Sequence, residues 1–160
     1  MIDRYTRPEM GKLWTDEHRF EKMLEVELLA CEALVKQKRV PARAYAKIRQ
    51  KARINVRRIH EIEQVVKHDV IAFVTQVGER IGSESRFLHL GLTSSDVLDT
   101  ALAVQMVEAA NLLIQDVSFL RATIGHLARK HVGTLMMGRS HGIHGEPITF
   151  GIKVAGWYTE

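Results

Sequence analysis

One stretch dominates what this chain can become. Residues 95–130 contain no proline and a single glycine, Gly125. Leu98, Leu102, Met106, Ala109, Leu113, Val117, Leu120, Ile124 and Leu127 recur nearly every turn, the period of a helix with an apolar face. At 1.5 Å per residue such a helix spans about 50 Å. Val97, Ala101, Val104, Leu112 and Ile114 widen the stripe beyond what one thin neighbour could cover. Helices of this length belong to coiled coils or large bundles, so partner chains or further helices are implied.

The segments upstream also read as helical. Residues 16–38 carry Phe20, Met23, Leu24, Leu28, Leu34 and Val35, largely at spacings of three, four or seven, behind Thr15 or Asp16 as N-cap. Pro41 suits the first turn of a second helix running to about residue 52. Asn55 can cap a third helix through Ile59, Ile62 and Val66, and a fourth covers about 70–81. Thr149 can cap a last helix starting near Phe150, with no stop signal at Glu160. The fold class predicted is all-α, and the open-ended last helix predicts a piece of a longer protein.

Composition narrows the functional classes. The 160 residues suit one domain able to bury a real core without disulfides or metals. The single cysteine, Cys31, lies in an apolar helical pattern. It can form no internal disulfide and reads as a core thiol in a reducing, cytoplasmic setting. The net charge of +4 favours an anionic ligand without requiring nucleic acid. KARINVRRIH at 51–60 is the densest basic stretch, either a solvated helix face or an anion-attracting rim. Aromatic residues are only 6% and no nucleic-acid reading motif is present, so no nucleic-acid partner is expected. No run approaches ~18 uninterrupted apolar residues, so no membrane span is expected. The opening MIDRYTRPEM has no apolar signal-peptide core.

Four clusters carry candidate chemistry. IDRYTR supplies Arg4, Tyr5 and Arg7, and VVKHDV supplies Lys67, His68 and Asp69. HLGLTSSDVLDTA holds His89, Thr93, Ser94, Ser95 and Asp96 at the start of the long helix. Ser94 or Ser95 can cap that helix and Asp96 suits its positive end, but several hydroxyls exceed what a cap needs. Helix N-termini also bind anions through free N–H groups and hydroxyls. GRSHGIHGEPITFG, residues 138–151, contains two histidines, four glycines, a glutamate and a proline. Its backbone must bend, and Gly142 and Gly145 argue against a helix there. His141 and His144 are three apart, unlike the i, i+4 pair of helical zinc motifs, so no metal is expected. An imidazole on a glycine-rich bend better suits a general acid or base.

GLTSSDVLDTA followed some forty residues later by GRSHGIHGEPITFG resembles the adenylosuccinate lyase family of the aspartase/fumarase superfamily. KHDV and the RY near the start match as well, and the resemblance covers essentially the whole chain. It implies a small N-terminal helical domain, residues 1–93, followed by the first part of a long-helix bundle, residues 94–160. It also implies a homotetramer whose active sites draw on several subunits, without metal or organic cofactor. The family cleaves adenylosuccinate, and the succinylated carboxamide ribonucleotide of purine synthesis, releasing fumarate from each by β-elimination. Residue by residue, the resemblance makes His141 the general acid and gives His68 a catalytic part in orienting or charge-balancing the substrate. It gives nucleotide binding to Arg4 and Tyr5, and substrate binding to Lys67, His68 and Asp69. Thr93 and Ser94 would bind succinyl carboxylate oxygens, with His89 a further substrate-binding candidate.

One departure matters. The family's base is a serine on a mobile loop in a third signature, which this sequence lacks, so the chain by itself is expected to be inactive. Two alternatives remain at the level of sequence. One is another fumarate-releasing lyase of the superfamily. The other is a helical module that binds nucleotides or assembles without catalysis.

Overall fold

The computed structural model describes residues 2–160. Among them run seven α-helices: α1 (Pro8–Lys12), α2 (Asp16–Lys36), α3 (Ala42–Lys51), α4 (Val56–Val66), α5 (Asp69–Ile81), α6 (Ser94–Lys130) and α7 (Phe150–Thr159). Short 3-10 turns occupy Asp3–Tyr5 and Ser83–Phe87. Two strands, β1 (Leu135–Ser140) and β2 (Ile143–Thr149), form one antiparallel hairpin.

Side-chain caps set most helix starts. Thr15 Oγ1 accepts from the His18 N–H, Asn55 Oδ1 from Arg58 and Thr149 Oγ1 from Ile152, at 3.1–3.2 Å. Each satisfies an N–H that has no partner inside its helix. Pro41 lies one residue before α3 rather than in its first turn. The hairpin departs from the sequence expectation, which held only that residues 138–151 bend. Gly138, Gly145 and Pro147 interrupt the strand pattern there, and only the pairing of the two strands overrides them.

Packing divides the chain into two units, one reaching Ala109 and the other Ala110–Glu160. The division falls inside α6, whereas the sequence division at 93/94 marks where that helix begins. In the first unit Phe20 and Met23 of α2, Ile48 of α3, Ile59 of α4, and Val70, Phe73 and Val77 of α5 are fully buried. The Phe20 and Phe73 rings stack with centroids 5.9 Å apart. Cys31 is a buried thiol, and burial pushes its pKa up. Val66, placed by periodicity on the apolar face of α4, is exposed at the end of that helix.

α6 joins the core through a row every fourth residue: Val97, Ala101, Gln105 and Ala109. Gln105 is satisfied because its Nε2 donates to Leu13 O at 2.6 Å. Beside that row, Glu108 accepts from His18 Nε2 at 2.6 Å and pairs with Lys22 Nζ at 2.7 Å, tying α6 to α2. Burial pushes the Glu108 carboxyl up, and the bonds from Lys22 and His18 outweigh it, leaving the group below its ordinary value. A depressed carboxylate stabilises the fold fully above its unfolded value, about 4.5, and loses that contribution on acidification. Glu108→Gln is expected to cost about 1–2 kcal/mol at neutral pH in urea unfolding, with the deficit shrinking below that value.

Further along α6 the apolar stripe is exposed in this chain, as at Leu113, Val117 and Leu120. One 18-residue window has mean hydropathy 1.5, apolar enough by length and composition to cross a membrane, and is 22% buried. The sequence rule of an uninterrupted run misses this, because a few scattered polar residues break the run while its average stays high. In the second unit, Phe150 N–H donates to Thr134 O at 2.8 Å and Gly151 N–H to His131 O at 2.9 Å. The His131 and Phe150 rings meet edge to face at 5.2 Å, and Val154 is fully buried. These contacts fix α7 where the hairpin returns to the end of α6.

Candidate active site

His141 stands at the tip of the hairpin. Ser140 pairs with Ile143, so His141 and Gly142 form the two-residue turn between strands. Their φ values are +52° and +77°. Two left-handed residues in a row are the signature of a tight turn matched to strand twist, with glycine the easy occupant of the second place. His141 accepts the left-handed strain and is exposed, and its ring makes no hydrogen bond among the described residues. His144 is held differently. It pairs across the hairpin with Arg139, whose Nη2 lies 3.2 Å from His144 Nε2. A guanidinium only donates, so Nε2 accepts there and the ring proton sits on Nδ1.

The register shifts between Met137 and Arg139: Gly138 of β1 stands opposite two residues of β2, Gly145 and Glu146, so the bulge lies on β2. A Cβ on Gly138 would lie 2.8 Å from Glu146 O, a backbone atom that cannot swing aside. Gly138→Ala is therefore expected to cost about 1–3 kcal/mol in thermal unfolding and to disturb the Arg139–His144 pair.

The other candidates belong to the first unit. Arg4 and Tyr5 lie in the first 3-10 turn, where the Arg4 guanidinium carbon is 4.8 Å from the Tyr5 ring centroid and both side chains are exposed. Lys67, His68 and Asp69 form the junction of α4 and α5. Lys67 ends α4 in the left-handed region at φ +54°. His68 caps α5, its Nδ1 accepting from the Ile71 N–H at 3.4 Å. That role leaves Nδ1 without a proton and puts the neutral ring's proton on Nε2. Asp69 Oδ1 takes the Val70 N–H at 2.8 Å. All three residues thus have local structural duties, and His68 remains partly exposed.

At the start of α6, Asp96 Oδ2 accepts from the Thr93 N–H at 2.8 Å. Ser94 and Ser95 lie inside α6 rather than ahead of it, and the carboxylate takes the N–H of the residue before the helix, as the third helical side chain of a capping box does. The hydroxyls of Thr93, Ser94 and Ser95 make no hydrogen bond among the described residues, so the helix does not use them. His89, at φ +58°, is gripped by Glu27 of α2. Glu27 escaped the sequence analysis although its signal was present: a charged residue on the face shared by Phe20, Met23 and Cys31. No hydrogen bond or ion pair joins the 4–5, 67–69 and 89–94 groups to one another among the described residues.

Among the described residues the chain thus combines seven helices, one of them 37 residues long, with a histidine-tipped hairpin. A profile described as lyase matches residues 3–160, and the chain belongs to that family. It is 51% identical to an adenylosuccinate lyase of Synechocystis sp. over all 160 residues, which span 37% of that relative's length. Among solved structures it is similar to a fumarate lyase from Mesorhizobium sp., with TM-score 0.87 and 27% identity over 94% of this chain and 36% of the other. It is also similar to a 3-carboxy-cis,cis-muconate lactonizing enzyme from Pseudomonas putida, with TM-score 0.86 and 30% identity over 99% of this chain and 38% of the other.

Proposed function

We propose that this chain is the N-terminal part of a lyase that cleaves adenylosuccinate to AMP and fumarate. The same site would cleave the succinylated carboxamide ribonucleotide of purine synthesis, releasing fumarate again. The observation that carries the reading is 51% identity to an adenylosuccinate lyase along the entire chain. Identity falls to 30% for the muconate lactonizing enzyme, which has the same fold, so the fold alone does not select the reaction.

The chemistry fits the residues. In β-elimination a base removes a proton beside a carboxylate, charge builds on that carboxylate, and an acid protonates the departing nitrogen. His141 is that acid in this reading. An imidazole exchanges protons near neutral pH, where lysine and arginine hold theirs, and an exposed turn lets it approach a substrate. Thr93 and Ser94 offer unspent hydroxyls at the positive end of α6 to the succinyl carboxylates. His68 presents Nε2–H as a donor, with Lys67 and Asp69 beside it. Arg4 and Tyr5 supply a charge and a ring face for the nucleotide, and His89 lines the substrate. The 160 residues contain no serine-loop signature and are expected not to turn over by themselves. In this reading the exposed stripe of α6 packs within a homotetrameric helical bundle, and the protein works in the cytoplasm.

The test is a substrate panel given to the protein as its gene encodes it. Fumarate release from adenylosuccinate, with none from argininosuccinate, is the expected result. The reverse preference would make it another lyase of the family. Nucleotide binding without fumarate would favour a non-catalytic module.

A further inference from the structure

Glu27 lies on α2 and is 2% exposed. Both of its oxygens are spent on one residue. Oε2 accepts from the His89 backbone N–H at 2.7 Å, and Oε1 lies 2.7 Å from His89 Nδ1. The backbone N–H can only donate, so Oε2 accepts there, and with Oε1 accepting likewise Nδ1 carries the ring proton. His89 Nε2 has no partner among the described residues, and the side chain is 26% exposed. A buried carboxylate is costly to keep unless it is matched, and among the described residues this one is matched by His89 alone. The backbone bond also holds His89 at φ +58°, in a left-handed conformation that a β-carbon disfavours. Four residues further on the chain reaches Thr93.

We propose that Glu27 is a positioning residue. It fixes His89 as the Nδ1–H tautomer, pins the backbone of the turn that leads into Thr93 and Ser94, and leaves Nε2 as the only ring nitrogen that faces a ligand. The proposal rests on the reading of His89 as a substrate-lining residue. It adds the element that aims it.

Glu27→Gln discriminates, because a carboxamide has one acceptor and one donor end. The His89 backbone N–H can only donate, so the amide oxygen must face it. The amide NH₂ then faces Nδ1, which must become an acceptor, and the ring proton moves to Nε2. Histidine labelled with ¹⁵N reports the tautomer directly, with the His89 signal assigned by its loss in His89→Gln. At a pH where the ring is neutral, the wild-type protein is expected to show protonated Nδ1 and the Glu27→Gln variant protonated Nε2. With adenylosuccinate, kcat/KM should fall about 10- to 100-fold in Glu27→Gln, a cost typical of a misaimed group. His89→Gln should lose as much, and the double variant should be no worse than His89→Gln alone. Protonated Nε2 in the wild-type protein would overturn the proposal even if Glu27→Gln failed to fold. An unmoved tautomer in Glu27→Gln, or losses that multiply in the double variant, would overturn it too. Absence of any fumarate release by the wild-type protein would count against the lyase reading alone, since the tautomer measurement needs no turnover.

Discussion

His141→Ala is expected to lower kcat for fumarate release by about 10²- to 10⁴-fold, the range that a positioned general acid contributes. The leaving nitrogen would then depart without a proton from the enzyme, and that step would limit turnover. Substrate affinity should change much less, because the acid acts on a proton in transit rather than on a group held in the ground state. The fold should tolerate the change. His141 is exposed and makes no hydrogen bond among the described residues, so its removal leaves no buried partner unsatisfied. Steady-state kinetics on the whole protein, with circular dichroism as the folding check, separates these effects. A variant with wild-type kcat would remove His141 from the acid's role.

The second large effect concerns the core. Phe73 is 1% exposed and stacks on Phe20, itself 1% exposed, with the rings 9° from parallel. The pair joins α2 to α5 where both helices bury their apolar faces. Phe73→Ala deletes a ring from a site whose neighbours are also buried and can collapse only partly. The expected cost is about 3–5 kcal/mol by denaturant unfolding. That is a large share of the ~5–15 kcal/mol that holds a typical domain folded. A loss under about 1 kcal/mol would mean that this contact does not hold α2 to α5.

The helices were legible because their signals are local. Thr15, Asn55 and Thr149 each mark a helix start within three residues of the N–H they satisfy. The long α6 follows from one period sustained over 37 residues. What escaped depends on partners far away in sequence. Gln105 looks misplaced in an apolar row until it meets Leu13 O, 92 residues earlier. Glu108 needs His18, and His89 needs Glu27, 62 residues away. The hairpin escaped for a related reason: Gly138, Gly145 and Pro147 each argue against a strand, and only the pairing of β1 with β2 overrides them.

The candidate site was legible as residue types and much less as roles. Sequence motifs picked out His141, His68, Thr93 and Ser94. The structure adds that His68 caps a helix, that Asp96 bonds the N–H of Thr93 just before α6, and that His141 occupies a left-handed turn position. None of these follows from composition, since each depends on where an element begins or on how a turn closes.

The most direct test of the central claim is product formation from adenylosuccinate by the whole protein, with wild type and His141→Ala side by side. Mass spectrometry should find AMP and fumarate accumulating in equal amounts with wild type and nearly absent with the variant. Equal product yield from the two proteins, or none from wild type, would contradict the account.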